Sequence, residues 1–546
     1  MDYQRFFETA TGHPPFDWQG RLANGEGYEA RNPSTHTGVP CQSHLIDIPT
    51  GLGKTAGVVL AWLWNRLGNG PVPPNQSPRS STQRLDHSTT WPRRLVYCLP
   101  MRTLVEQTAG EVEKWLVNLW NARDQLDENA TTELAWLCGF DPEKPDSFTD
   151  LPTPPLNDST TQLPNNPRSP VILMGGEEQT PAKRDWDLYP EKPCILIGTQ
   201  DMLLSRALNR GYGAGRARWP MSFALLNNDA LWLKDEVQLM ANGLSTSLQL
   251  QAWRESLGTK DTPDSITTTE KPSTVLPTHT WWMSATMAEH WFQTAVDWRS
   301  IHLDETTLAP DKLWRERLKI GDADKNTSGL FHIEKTKKKI DPKSITPLEA
   351  KGRTVDKKEL KDYAESVAKF IAKEENRKGN KLHKDSAETP DLCTLVVVNT
   401  VERAVAIYNT FIAAAKSASQ AKPSTRYPFD QYNLLLLHSR FRGHERKQWP
   451  ALIKTFEQGE NTKVGNTDYT LTGPRLIIAT QVIEAGVDLS VPILYTEHCP
   501  MASLVQRLGR CARRAGETGK VYILPMSVDE TTAKPYTKAE LEAWQP

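Results

Sequence analysis

The sequence predicts an α/β fold of two lobes, each a parallel sheet covered by helices on both faces. Three observations carry this expectation. Short, nearly continuous apolar runs alternate with amphipathic stretches of helical period, as in strands buried on both sides. The alternation occurs twice, before and after a stretch rich in Lys, Glu and Asp at residues 304–390. An apolar stub, a Gly-Lys-Thr loop and an apolar-faced helix follow one another in residues 44–67.

In order, the first lobe's runs are LVYCLP (95–100), VILMGG (171–176), CILIGT (194–199), FALLNNDALWLKDE (223–236) and THTWWMSAT (278–286). The second lobe has TLVVVNT (394–400), YNLLLLHS (432–439), RLIIAT (475–480) and VPILYT (491–496). Helical patterns follow many of them, as at 103–120 and 401–416. The boundaries read as a first lobe over 1–303, a charged connector over 304–390 with a helix at 356–375, and a second lobe over 391–546. Residues 68–92 and 141–169 are polar insertions in the first lobe, the latter with seven prolines. Such composition buries too little apolar surface to offset the entropy of ordering.

Composition narrows the class. At roughly 100–200 residues per domain, 546 residues make three domains or two large ones with insertions. Lys and Arg number 65 against 66 Asp and Glu, a net charge of -1. That disfavours a histone-like or polybasic membrane-binding protein but leaves room for a local basic groove. Apolar residues make up 38% and the mean hydropathy is -0.55, as in a soluble chain. Seven cysteines without a C-x-x-C pair disfavour a disulfide scaffold or a cysteine-rich zinc module and fit a reducing compartment. The opening MDYQRFFETA lacks a basic stretch followed by an apolar core, and no run approaches ~18 apolar residues. A cytoplasmic location without membrane contact is expected.

The clearest chemical signal is the loop Pro49-Thr50-Gly51-Leu52-Gly53-Lys54-Thr55. Gly51 and Gly53 permit a backbone whose successive N–H groups point at phosphate oxygens. The following helix adds a partial positive charge at its N-terminus. Lys54 supplies a point charge for the β- and γ-phosphates, and the Thr55 hydroxyl can ligate Mg2+. The strict G-x4-G-K-[ST] pattern would need Gly where Ile48 stands, so the loop has the shorter T-G-x-G-K-T form, which resembles the phosphate loop of helicase-like motor ATPases.

A motor also needs a metal carboxylate and a base for water. The strand reading LWLKDE delivers Asp235 and Glu236 at its C-terminal edge, where ligands sit in open α/β sheets. Asp235 is the candidate Mg2+ ligand, through water, and Glu236 the candidate base. Ser284 and Thr286 follow the strand THTWWM. They read either as a coupling motif between nucleotide and strand or as an N-cap of the next helix, and the two roles are compatible.

In the second lobe, Thr480 and Gln481 end a strand, and Glu484, Gly486 and Asp488 fill the next turn. Gln506, Arg507, Arg510 and Arg513 recur at helical spacing, which would place guanidinium groups along one helix face. The row reads as a γ-phosphate clamp, with Arg510 and Arg513 as arginine fingers, or as a solvated basic helix or nucleic-acid contact.

With these motifs in order, the chain resembles the superfamily 2 helicases, and most of all the CRISPR-associated helicase of type I systems, which is fused to or paired with an HD nuclease. The matching strings are IDIPTGLGKT, LVYCLPMRTLVEQT, GTQDMLLSRAL, LKDEVQLM, MSAT, LLHSRFRGHER, IIATQVIEAGVDLS and QRLGRCARR, spanning residues 46–514. The resemblance implies tandem RecA-like P-loop lobes with ATP and nucleic acid bound at the interlobe cleft. It implies strand contacts from Pro100, Arg102, Thr103 and Gln107, from Thr199, Gln200 and Asp201, and from Thr400, His438 and Arg440 in the second lobe. Thr480 to Asp488 would link nucleic acid to ATP, and Gln506 would join that coupling. Gln19, in PFDWQ, is similar to the family's adenine-reading glutamine.

Three departures from the family pattern stand out. Gln238 occupies the position where the family often has the His that bridges to Ser-Ala-Thr, which implies altered coupling rather than lost hydrolysis. No His-Asp dipeptide occurs, so DNA cleavage by this chain is not expected. Only 32 residues follow Arg514, short of the family's accessory C-terminal region, so the HD nuclease is expected as a separate protein or as a part missing from a fragment. The expected function is an ATP- and Mg2+-dependent single-stranded DNA translocase or helicase of CRISPR interference, partnered by a crRNA-guided surveillance complex. Its rivals are a superfamily 2 RNA helicase or DNA-repair translocase, and a weakly hydrolysing recruitment module.

Overall fold

Seven apolar strands form the first sheet: β1 (His44–Asp47), β2 (Arg94–Leu99), β3 (Val171–Leu173), β4 (Cys194–Thr199), β5 (Ala230–Lys234), β6 (Thr278–Ser284) and β7 (Leu318–Lys319). They lie in the order β3-β4-β2-β5-β6-β1-β7, parallel throughout. Every residue of β2 and β5 is buried, as two covered faces require. This is a computed structural model. It describes residues 1–25, 41–67, 91–139, 170–175, 185–211, 214–258, 276–302, 312–328, 335–338, 345, 347–349, 355–382, 393–420, 432–446, 448–459, 462–464, 467–469, 471, 473–484, 486–513 and 517–543.

The second sheet contains β8 (Lys335–Lys338), β9 (Cys393–Val397), β10 (Asn433–Leu437), β13 (Arg475–Ala479), β14 (Ile493–Glu497) and β15 (Gly519–Leu524). Its order is β10-β13-β9-β14-β15-β8, again parallel. A separate antiparallel pair joins β11 (Thr462–Val464) to β12 (Thr467–Tyr469). The chain divides into two compact units, Met1–Thr327 and Ser328–Pro546.

The expected connector over 304–390 is shared between the units. Its early part adds β7 to the first sheet, where Asp324 accepts from the Trp18 backbone N–H at 3.1 Å. Its later part adds β8 to the second sheet. The charged helix runs Lys357–Leu382 and buries Tyr363, Ala364, Val367, Ala368 and Ile371 against the second sheet's core. Lys and Glu dominate the composition, but the apolar residues at helical spacing are what the fold uses.

Residues 68–90 and 140–169, nearly all of the two expected insertions, lie outside the described residues. Trp91 and Pro92 belong to the core instead: Trp91 is buried edge-on to Trp281 at 5.8 Å, and the Pro92 carbonyl accepts from Trp62 Nε1 at 2.9 Å. The run 223–236 is not one strand. Helix Trp219–Leu226 ends in a turn at Asn227–Asp229, with Asp229 at φ 55°, before β5 begins. Tryptophan serves packing: Trp18, Trp62, Trp232, Trp281, Trp282 and Trp298 are among the largest fully buried side chains. Each such side chain contributes on the order of 1.5–3 kcal/mol. All seven cysteines are free thiols.

Candidate nucleotide and nucleic-acid site

Parallel strands bring their C-terminal ends to one edge of a sheet, and in the first unit that edge collects the candidate residues. The loop residues Pro49 to Thr55 follow β1, Asp235 and Glu236 follow β5, and Ser284 closes β6; these strands are neighbours. Pro100, Arg102 and Thr103 follow β2, Thr199 closes β4 and Gln200 opens the helix after it, with Leu99 in register with Thr199. The strand order therefore sets the nucleotide candidates on one half of the edge and the strand-contact candidates on the other.

Gly53 caps helix Lys54–Arg66 at φ 66°, a left-handed conformation that places the loop's N–H groups ahead of the helix. Lys54 is buried, and its Nζ donates to the Ile48 carbonyl at 3.1 Å. Helix Asp17–Asn24 braces the loop from behind. Trp18 Nε1 donates to the Leu52 carbonyl at 3.2 Å, and Gln19 Nε2 donates to the Gly53 carbonyl at 2.9 Å. Gln19 Oε1 accepts from the Phe16 N–H at 2.8 Å. Gln19 is thus a brace of the phosphate loop, whatever it reads of a base. Gly57 makes the close approach possible: a Cβ there would lie 2.4 Å from Trp18 Cη2.

The acidic pair is tightly held. Tyr97, on β2, donates from its phenol to Asp235 Oδ2 at 2.8 Å and lies 3.5 Å from Thr55 Oγ1. The Glu236 N–H donates to Asp235 Oδ1 at 2.9 Å. Burial pushes the Asp235 carboxyl up to about 6, and neighbouring Glu236 adds to the rise, while Lys54 and the Tyr97 hydrogen bond oppose it. Glu236 sits at φ 50°, a strained position for a residue with a side chain. Thr55 and Asp235 offer hard oxygen donors joined through one phenol, a donor set that suits magnesium.

Gln238 and Ser284 do meet. Gln238 Nε2 donates to Glu236 Oε2 at 2.5 Å, and its Oε1 accepts from Ser284 Oγ at 2.8 Å. Ser284 Oγ also accepts from the Thr286 N–H at 3.0 Å. The N-cap alternative falls away, because the hydroxyl closes a local turn and the next helical segment, the 3-10 turn Glu289–Gln293, has Ala288 at its N-cap.

Among the strand-contact candidates, Arg102 and Gln107 are exposed on helix Arg102–Asn121, Thr103 is half-buried in its first turn and Pro100 half-buried ahead of it. Asp201 is exposed in helix Gln200–Ala207, at whose start Thr199 is buried and Gln200 half-buried. The sequence reading singled out neither Tyr97 nor Lys234. Lys234, the last of β5, is fully buried with Nζ 3.7 Å from the Trp232 ring centroid. Burial pulls its pKa down to about 8. Only its place in an apolar run marks it.

In the second unit, His438, Thr480 and Thr400 lie beyond the C-terminal ends of the neighbouring strands β10, β13 and β9. Arg440 is exposed and pairs with Glu402, and His438 stacks on Phe441 at 4.5 Å. Burial lowers the His438 pKa. Thr480 is buried, its N–H donating to the Leu437 carbonyl at 3.1 Å.

The arginine row is not one helix face. Helix Met501–Leu508 stops at Gly509, and Val491 pairs with Cys511 as a bridge. Gln506 is buried on that helix. Arg507 is 0% exposed and donates to Glu484 Oε1 at 2.7 Å, Thr496 Oγ1 at 2.9 Å and Asn399 Oδ1 at 2.9 Å. Arg510 is buried too, donating to the Ile483 carbonyl at 3.0 Å and the Glu484 carbonyl at 2.8 Å. Arg513 differs: its side chain is 26% exposed and faces Asp488, itself 71% exposed, at 3.5 Å. A solvated basic helix is excluded, since two of the three arginines are internal ties.

Residues 391–516 match the family described as the C-terminal part of CRISPR-associated nuclease/helicase Cas3. The second lobe is Cas3-like. The resemblance to CRISPR-associated helicases is borne out over these residues. A Cas3 helicase of Thermoproteus tenax is 28% identical over 151 residues, 28% of this chain and 21% of that protein. A protein of Methanocaldococcus jannaschii described as a Cas3 nuclease/helicase is 30% identical over 154 residues, 28% of this chain and 18% of its own length. The crystal structure of T. fusca Cas3 with AMPPNP matches 99% of this chain and 49% of that one, at TM-score 0.53 and 18% identity. That likeness shows the fold, tandem RecA-like lobes. The chain spans about half the length of that Cas3 chain.

Proposed function

We propose that the chain is an ATP-dependent single-stranded DNA translocase or helicase acting in type I CRISPR interference. The observation that carries this reading is the continuous tie from Thr286 through Ser284 and Gln238 to Glu236, beside the loop that carries Lys54 and Thr55. A plain nucleotide-binding clamp has no use for a base wired to a second motif. The Cas3-like second lobe supports the CRISPR setting.

In this reading Lys54 leaves its carbonyl partner to neutralise the β- and γ-phosphates, and Gln19 and Trp18 keep the loop in shape. Thr55 and Asp235 would hold Mg2+, which supplies charge neutralisation of the triphosphate. Glu236 orients and polarises the attacking water. Gln238 makes the base's position depend on Ser284 and Thr286. Of the two finger candidates, Arg513 is assigned the γ-phosphate role, because Arg510 is committed to backbone carbonyls. Pro100, Arg102, Thr103, Gln107, Thr199, Gln200, Thr400, His438 and Arg440 would track the nucleic-acid backbone. A crRNA-guided complex would present the strand, and an HD nuclease outside this sequence would degrade it.

Phosphate release should be magnesium-dependent and stimulated by single-stranded DNA. Stronger stimulation by single-stranded RNA would favour an RNA helicase. A flat response to both would favour the recruitment module.

A further inference from the structure

We infer that Tyr97 is a positioning residue for metal-bound nucleotide, holding the Asp235 carboxylate and the Thr55 hydroxyl in the arrangement that Mg2+ requires. The inference rests on the proposed ATPase reading and deepens it. Tyr97 lies in the middle of β2, fully buried, in register with Leu233 of β5. Phenylalanine would fill the same apolar space. Burying a phenol costs free energy unless its oxygen finds a partner. Its two oxygen neighbours here are the candidate metal ligands, Asp235 at 2.8 Å and Thr55 at 3.5 Å.

The geometry explains why the hydroxyl is useful. Asp235 leaves its strand with its N–H on the Cys98 carbonyl at 3.2 Å, so its backbone is already tied to β2. One carboxylate oxygen accepts from the Glu236 N–H, the other from Tyr97. The carboxylate is thus fixed from two sides, one of them the strand that also leads into Pro100 and Arg102. Magnesium demands near-ideal octahedral geometry and keeps several waters, so ligands that turn freely bind it poorly. Tyr97 removes that freedom and sets the Asp235–Thr55 spacing.

The test is a magnesium chloride titration of fluorescent ATP-analogue binding to the full chain, alongside the same binding in EDTA. Tyr97→Phe should weaken magnesium-supported binding on the order of tenfold, the loss of a hydrogen bond to a charged group, and leave binding in EDTA unchanged. Asp235→Asn should weaken it as well, and Tyr97→Phe should cost less in the Asp235→Asn background than in the wild type, because only the Thr55 contact is then left to lose. An unchanged magnesium response in Tyr97→Phe, or a loss in the double variant equal to the sum of the two single losses, overturns the inference. If Tyr97→Phe does not fold, Thr55→Ala in its place should likewise weaken magnesium-supported binding and leave binding in EDTA unchanged, and an unchanged magnesium response there overturns the inference. Failure of the wild type to bind the analogue would strike the ATPase reading instead.

Discussion

The Ser284 hydroxyl donates to Gln238 Oε1 at 2.8 Å while the same amide donates to Glu236 Oε2 at 2.5 Å. A single side chain therefore connects the end of β6 to Glu236, the proposed base. An amide can do this because it carries donor and acceptor at once.

Replacing Gln238 by Leu removes both bonds with little change in volume. Stimulated turnover should fall on the order of tenfold, the scale of one or two hydrogen bonds. Unstimulated turnover should change less. Gln238→His, whose ring can also donate and accept, should retain most of the stimulation. Steady-state phosphate release with and without single-stranded DNA checks both variants.

Gly57→Ala should loosen the brace behind the phosphate loop. The new Cβ would stand 2.4 Å from Trp18 and 2.9 Å from Gln19, so helix Asp17–Asn24 must move. Overpacking of this kind costs roughly 1–3 kcal/mol. Thermal melting should fall, and nucleotide affinity with it, because Gln19 loses its hold on Gly53.

The Asp235 carboxyl is raised from the ordinary 3.8 to about 6, with burial the largest cause. Between those values the folded chain binds more protons than the unfolded one. Its contribution to stability is therefore present at low pH and is lost as pH rises through about 6. Asp235→Asn should melt above wild type at pH about 8 and lose that advantage as the pH is lowered through this window. It should also fail to turn over ATP. Melting curves across a pH series check the first expectation and phosphate release the second.

The arginines of the second unit should separate cleanly. Arg507→Ala leaves Glu484 buried without its cation and should destabilise by roughly 3–5 kcal/mol. Arg513→Ala removes only a partly exposed pair and should alter stability by about 0.5 kcal/mol or less. Its turnover should nonetheless drop on the order of 10³-fold if it stabilises γ-phosphate charge. Urea unfolding and steady-state kinetics on the two variants distinguish a structural tie from a functional one.

Both parallel sheets were legible because a strand buried on two faces must be apolar along its length, as in 95–100 and 475–480. The phosphate loop was legible because few residue types can build it. What periodicity missed was tertiary. The spacing of Arg507, Arg510 and Arg513 fits a helix, but Gly509 ends it and pairing at Cys511 takes over. Lys-rich composition at 304–390 hid Tyr363, Val367 and Ile371, which pack in a core. Tyr97 looked like one more apolar strand residue, since nothing in its neighbours reveals that its oxygen meets Asp235.

The most direct measurement compares wild type with Glu236→Gln for binding and single-turnover hydrolysis of ATP in magnesium. The account predicts that both proteins bind nucleotide with similar affinity and that only the wild type cleaves it. Cleavage by Glu236→Gln at the wild-type rate would contradict the assignment of this site as the motor's hydrolytic centre.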